Sequence, residues 1–450
     1  MSAEPSTSAA GGLGASSASL LDRSPPRWML LALLCLALLV RGRVMLANSD
    51  SLMKDPDAYG DAAWHIAREG TLGLWQQERM LPTAGRAPLY PIVLSVFDVL
   101  PVPIDPFGYG CLHVVLGVAT AWCVWRIGLG CGLPPVAALL AAGLVTIDPI
   151  LLGQSVQLMS ETLATFLVAL ALMLLVATQK SPSLPRSAGI GVLLGLAILC
   201  RPALIVWCLL VAAAFCWRAA RSHAWAQTGL LLGLLALTVA PWVVRNAHVF
   251  GSAIVTTTHG GYTLLLGNNQ EYYNFLREGG WNGTWDAKDV YAAWRERQTL
   301  IETPVGVVAD EAAADRWAYE QAWSNIAEDP AGFLLASVHR LARFWGLMPR
   351  QTTPEETEQR HTMRVVIGAW YALVFALAAV GAWFWRKELL QAPLLWSTLL
   401  VLSLMAIHTV YWTDMRMRAP LAIPLSLAAA HAVSMLAARY RAANKAAAVT

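Results

Sequence analysis

Ten apolar runs, separated by short charged or proline-marked breaks, restrict this chain to folds that live in a bilayer. They lie at residues 28–46, 108–127, 134–152, 158–178, 187–201, 203–217, 226–245, 364–385, 392–411 and 418–437. Each approaches the length needed to cross about 30 Å of hydrocarbon. Lipid offers no partner to a backbone amide, so spans of this kind close their hydrogen bonds internally as helices. The composition agrees: 57% of residues are hydrophobic and 14% charged, against roughly 25% charged in an ordinary soluble domain. The expected fold class is an all-α polytopic membrane protein with about ten transmembrane helices.

The apolar block 187–217 is divided because Arg201-Pro202 stands at its centre. Proline removes a helical hydrogen bond and biases the residue before it away from helix, and an arginine is costly at mid-bilayer. Both residues suit a surface turn. With that division, Arg126, Lys180, Arg186, Arg218, Arg221, Arg386, Lys387, Arg439, Arg441 and Lys445 fall on one side, together with Arg23 and Arg27. The positive-inside rule makes that side cytoplasmic.

The expected layout is a disordered cytoplasmic tail (1–27), an N-terminal transmembrane module (28–245) with its first outer loop at 47–107, an extracytoplasmic cap (246–363), C-terminal transmembrane helices (364–437) and a cytoplasmic tail (438–450). The cap reads as mostly helical, for example over 312–328. Its tryptophans Trp281, Trp285, Trp294, Trp317, Trp323 and Trp345 suit a body lying on the bilayer. A retained signal anchor in a cytoplasmic (inner) membrane fits Arg41-Gly-Arg43 after the first run, where a cleavage site would need small residues.

Two function classes are excluded. The net charge of +3 is spread along the chain without a dense basic block, so the electrostatic footprint of a nucleic-acid binder is missing. Cys35, Cys111, Cys123, Cys131, Cys200, Cys208 and Cys216 fall in or beside apolar runs without CxxC spacing, which suits packing rather than a disulfide or zinc framework.

Charge is scarce, so its position is informative. The first outer loop carries Asp55, Asp57 and Asp61 near a short amphipathic helix predicted over 58–69, with Gly70 at its C-terminal cap. Asp57 reads either as the helix N-cap or as a general base, with Asp55 and Glu161 as the alternative acids. Arg86, in Gly85-Arg86-Ala87-Pro88-Leu89-Tyr90-Pro91, is held by stiff backbone and suits either a lipid headgroup or a bound phosphate. Glu161 opens the fourth span, while Arg201, Arg416 and Arg418 lie at the same outer depth. Acidic and basic groups there need a cavity or each other.

These pieces in their order resemble the GT-C membrane glycosyltransferases, in particular glycosyltransferase family 39 (protein O-mannosyltransferase-like) and lipid A aminoarabinose transferase-like proteins. The fragments are Asp57-x-Tyr59, Arg86-x-Pro88-Leu89-Tyr90-Pro91, Ser160-Glu161, Gly195-Leu196-Ala197 to Arg201-Pro202, Pro241-Trp242-x-x-Arg245-Asn246 and Gly260-Gly261. They continue with Gly267-Asn268-Asn269, Ile326-x-x-Asp329-Pro330-x-x-Phe333, Arg343-Phe344-Trp345 and Arg416-Met417-Arg418-x-Pro420.

The resemblance implies a GT-C fold and inverting transfer from a polyprenyl-phosphate-linked sugar to an acceptor glycolipid, protein or cell-wall polymer at the outer face. It implies Asp57 as the acid of the first loop and Arg86 as the residue that meets the lipid phosphate. Arg416, Arg418 and Arg201 would stabilise the same anion, and Tyr59, Tyr90 and Glu161 would position the substrate. No metal ligand is assigned, although a divalent cation is compatible with such enzymes. The chain departs from the pattern at Ala58, where many relatives carry a second acid, and at Met417, where a tyrosine is usual. The rival readings are a transporter or flippase of a lipid-linked sugar, which would call for paired repeats or matching broken helices, and a membrane scaffold without catalysis.

Overall fold

The computed structural model describes residues 27–76, 78–99, 107–351 and 355–448. The tail expected over 1–27 lies outside the described residues apart from Arg27. Among the described residues seven helices are long and apolar enough to cross a membrane: Arg27–Ala47, Phe107–Gly130, Glu161–Lys180, Pro202–Ser222, Trp225–Phe250, Glu358–Phe384 and Met415–Ala447. Pro135–Thr146, Leu184–Cys200 and Leu395–Val410 are shorter apolar helices at three further expected spans. A fourth short one, Leu89–Asp98, follows Arg86. The molecule is an all-α polytopic membrane protein.

Proline and capping residues set the breaks. Leu184–Cys200 ends before Arg201, whose backbone is extended; one 3-10 turn, Pro202–Leu204, then leads into Ile205–Ser222. The separation expected at Arg201-Pro202 is therefore real. The expected span 134–152 is itself interrupted: Pro135–Thr146 stops, and Asp148 starts Pro149–Gln154 by accepting from Leu151 N–H at 3.0 Å.

Helices touch closely where side chains are small. A Cβ at Gly381 would lie 1.9 Å from the Ala428 carbonyl oxygen, and one at Gly191 would lie 2.3 Å from that of Leu231. These glycines bring Glu358–Phe384 against Ala422–Ala447, and Leu184–Cys200 against Trp225–Phe250, at backbone contact. Dispersion contacts of this type hold helices together where lipid removes the hydrophobic incentive.

A polar network crosses the same core. Arg41, fully buried on the first helix, donates to the carbonyls of Val145 (3.2 Å) and Leu151 (3.5 Å) around the Asp148 break. Asp148 Oδ1 accepts from Tyr371 Oη at 3.0 Å, and the Arg418 guanidinium stacks 4.5 Å from the Tyr371 ring. Residues far apart in sequence thus satisfy each other's charge and carbonyls, as burial requires.

The long polar segments contain helices and two hairpins. Gly73–Gln76 pairs antiparallel with Arg79–Pro82, and Leu300–Thr303 with Gly306–Ala309. The second hairpin, on a region that reads as poor in strand pattern, packs against the first. The expected helix over 312–328 is Glu311–Glu328. Several of the tryptophans of this region pack into aromatic clusters. Trp294 is buried against His259 and Tyr262, Trp285 and Trp281 pack around Tyr272 and His339, and Trp345 packs on Phe344 and Phe375. Trp323 is the exposed member of the set.

Candidate active site

The helix Tyr59–Glu69 is started by an unusual turn. Ala58 takes a left-handed conformation (φ 56°), which folds Asp55 back over the helix N-terminus. Asp55 Oδ1 accepts from Tyr59 N–H at 2.7 Å, and Oδ2 accepts from Gly60 N–H at 2.8 Å and Asp61 N–H at 3.0 Å. These are amides the helix itself leaves orphaned. A Cβ at Gly60 would lie 3.1 Å from Asp55 Oδ2 and 2.9 Å from Leu158, so glycine permits the approach. Burial raises the Asp55 carboxyl above its ordinary range, while the three amides pull it down. The capping role considered for Asp57 therefore belongs to Asp55. An acid committed to three amides has little capacity left to act as a base.

Asp57 is left with one partner. Arg86 Nε donates to the Asp57 carbonyl oxygen at 2.6 Å, and Arg86 Nη2 lies 3.6 Å from Asp57 Oδ1. The side chains are 34% exposed at Asp57 and 21% at Arg86, so an entering molecule can reach both. The helix ends at Gly70 in the left-handed region (φ 67°), its amide bonded to the Ile66 carbonyl, as the sequence predicts.

A second charged group surrounds Glu161, whose side chain is 2% exposed. Its Oε1 lies 3.0 Å from Arg201 Nη1 and 3.7 Å from Arg416 Nε. The break after Cys200 delivers Arg201, and Asp414 fixes the turn that delivers Arg416 by accepting its N–H at 3.1 Å. Beyond Glu161 the two guanidiniums meet sulfur: Arg201 Nη2 faces Met417 Sδ, and Arg416 Nη1 faces Met159 Sδ. A thioether is a weak acceptor, so these cations keep strong donor capacity in hand. One carboxylate between two arginines also leaves the group net positive.

Tyr59 links the two groups. Its phenol bonds with Ser160 and stands within electrostatic reach of Arg86, Asp57, Glu161 and Arg201; burial pushes it up to about 12. His259, beside Arg86, is pushed down to about 3, by burial first and then by that cation, so it is neutral.

Two expected participants are engaged elsewhere. Tyr90 is fully buried and its Oη lies 2.8 Å from His113 Nε2. His113 Nδ1 faces the Ser155 carbonyl at 3.0 Å and must carry the ring proton, so Nε2 accepts and Tyr90 donates. Tyr90 is thereby tied to the helix core and supports Tyr59 edge-on, at 5.1 Å between ring centroids. Arg418 is 2% exposed, and its Nη1 donates to the carbonyls of Phe344 (2.6 Å) and Gly346 (2.7 Å). Its flat faces lie against Tyr371 and Phe375. Neighbours in sequence, Arg416 and Arg418 turn to different tasks because the 3-10 segment Met415–Leu421 separates their directions.

Sequence reasoning gave no role to Glu311 or Arg245, whose side chains bind the loop before Arg86. Arg245 belonged to a quoted fragment; Glu311 had no local signal, because its partners come from distant segments.

The acids here do not suit a divalent cation. Asp55 is committed to amides, and Asp57 and Glu161 each face arginine. Among the described residues no group of three or more His, Cys, Asp and Glu side chains converges.

No family model and no curated protein matches the chain. Solved structures do. The oligosaccharyltransferase AglB from Archaeoglobus fulgidus, in complex with an inhibitory peptide and a dolichol-phosphate, superposes with a TM-score of 0.53 at 15% identity, over 93% of this chain and 52% of that one. Its apo form gives 0.52 at 14% identity, over 93% and 52%. ArnT from Cupriavidus metallidurans bound to undecaprenyl phosphate aligns over 90% of this chain and 78% of that one, at 12% identity and a TM-score of 0.37. The chain spans about half the length of the archaeal enzyme. It shares the fold of that archaeal protein, the GT-C fold.

Proposed function

We propose that this chain is an inverting glycosyltransferase that moves a sugar from a polyprenyl-phosphate donor to an acceptor at the extracytoplasmic face of a cytoplasmic membrane. The observation that carries the reading is the pairing of a partly exposed carboxylate, Asp57, with Arg86, next to two arginines that each turn one donor to a thioether sulfur. Dolichol-phosphate held by a protein of the same fold supports the lipid class. The side of the membrane rests on the distribution of lysine and arginine.

In the proposed step the acceptor hydroxyl oxygen attacks the anomeric carbon from the face opposite the phosphate. The anomeric carbon–oxygen bond to phosphate breaks, and polyprenyl phosphate leaves with the bonding pair. The hydroxyl proton passes to Asp57. A general base of this kind contributes about 100- to 10,000-fold. The departing phosphate needs cations rather than an acid, and Arg86, Arg201 and Arg416 supply them. Glu161 holds Arg201 and Arg416 at one depth, and Tyr59 fills the space between the two charged groups.

Purified protein in liposomes, given a panel of polyprenyl-phosphate sugars, is expected to release polyprenyl phosphate, and Asp57→Asn is expected to stop it. Transbilayer movement of these lipids without any release would replace this reading with the transporter.

A further inference from the structure

Arg86 is aimed by a carboxylate on a distant segment. Glu311, 3% exposed, opens the helix Glu311–Glu328, where a negative charge is favoured by the helix dipole. Its Oε1 accepts from Thr83 Oγ1 at 2.6 Å and Gln76 Nε2 at 3.3 Å. Its Oε2 accepts from Ala84 N–H and Thr258 Oγ1, both at 2.8 Å. Each of these four hydrogen-bond partners donates, and a carboxylate offers acceptors to all of them.

The bonds continue toward Arg86. Thr83 Oγ1 accepts from Gly85 N–H at 2.9 Å, and Thr258 N–H donates to the Ala84 carbonyl at 3.0 Å. Arg245 clamps the other edge, donating to the carbonyls of Thr83 (2.9 Å) and Leu72 (3.0 Å). The backbone just before Arg86 is therefore fixed through Thr83, Ala84 and Gly85. Arg86 then crosses to Asp57.

We propose that Glu311 is a positioning residue: by holding the Thr83–Gly85 turn it sets the Arg86 guanidinium at the distance from Asp57 that receives the donor phosphate. This rests on the glycosyltransferase reading for the phosphate. The Thr258 bond adds that the segment carrying neutral His259 is locked to the same carboxylate, so both walls beside Arg86 are placed together.

The test uses the full chain in nanodiscs, with Glu311→Gln, which keeps the shape but turns a donating amide toward donors, and Thr83→Val, which removes both hydroxyl bonds, the one to Glu311 and the one from Gly85 N–H. Amide hydrogen exchange at Ala84 and Gly85 and affinity for undecaprenyl phosphate are measured. Both variants are expected to speed exchange, and Glu311→Gln to weaken affinity about tenfold, as for loss of one charge-assisted bond. In an Arg86→Ala background Glu311→Gln is expected to cost no further affinity, the coupling that marks action through Arg86. An undiminished loss in that background, unchanged exchange, or faster exchange with unchanged affinity would overturn the assignment. Wild-type protein that does not bind the lipid removes the donor reading and this role with it. Wild-type binding without coupling removes the role of Glu311 alone.

Discussion

Arg86 grips Asp57 at two points, its Nε on the backbone carbonyl at 2.6 Å and its Nη2 3.6 Å from the carboxylate. The acid is thereby held in place without being asked to hold up a helix. In the proposed reaction, chemistry and architecture at this loop fall to different aspartates.

Substitution separates those two aspartates. Asp57→Asn is expected to lower turnover about 100- to 10,000-fold with little change in unfolding temperature. Asp55→Ala removes the acceptor for three amides and is expected to cost about 0.5–2 kcal/mol of stability. Release of polyprenyl phosphate per folded molecule, with thermal unfolding in detergent, reads both. A stable, fully active Asp57→Asn protein would shift the base to another group.

Glu161 is expected to tolerate glutamine better than alanine. Alanine leaves Arg201 and Arg416 beside one another without their anion, and breaking a buried pair in this way costs about 3–5 kcal/mol. Unfolding of Glu161→Ala and Glu161→Gln in the same micelle checks the order. Equal stability of the two would mean that lipid or water already screens the arginines.

Arg416 and Arg418 are expected to respond differently to the same change. Arg416→Gln removes a donor that the proposed reaction assigns to the lipid phosphate and is expected to raise KM for the lipid donor about ten- to a hundredfold, at 1.5–3 kcal/mol for a charge-assisted bond. Arg418→Gln breaks contacts to Phe344, Gly346, Tyr371 and Phe375 and is expected to lower unfolding temperature, with KM of the surviving enzyme little altered. Steady-state kinetics on quantified folded protein distinguishes them.

Asp315 gives a pH signature. Burial pushes its carboxyl up to about 6, although it accepts from Gly261 N–H at 2.6 Å. Between its ordinary value near 4 and about 6 the folded protein binds more protons than the unfolded chain, so this group's contribution to stability falls as pH rises through that window and is flat above it. Asp315→Asn is expected to remove that slope from unfolding measured between pH 4 and 6. A slope that survives the substitution would place its origin in other groups.

The spans and their breaks were legible because apolar length and proline leave a strong mark: Arg201-Pro202 and Gly70 behave as their residue types require. The break before Pro149 carried the same mark, but the apolar run around Asp148 obscured it. The exchange of roles between Asp55 and Asp57 had no such mark. It depends on the left-handed turn at Ala58, a residue that gives no signal for that conformation. Tyr90, Arg418 and Glu311 were illegible for a related reason. Their partners His113, Phe344 and Thr83 lie in other segments, and only packing decides which donor meets which acceptor.

The polar chain from Arg41 through the Asp148 break to Tyr371 and Arg418 shackles the first helix to the last two spans. Swinging one half of the protein against the other would tear open buried charges at several kcal/mol each. A molecule shackled in this way has a frame that stands still, as the proposed transfer requires and the rocking of a transporter does not.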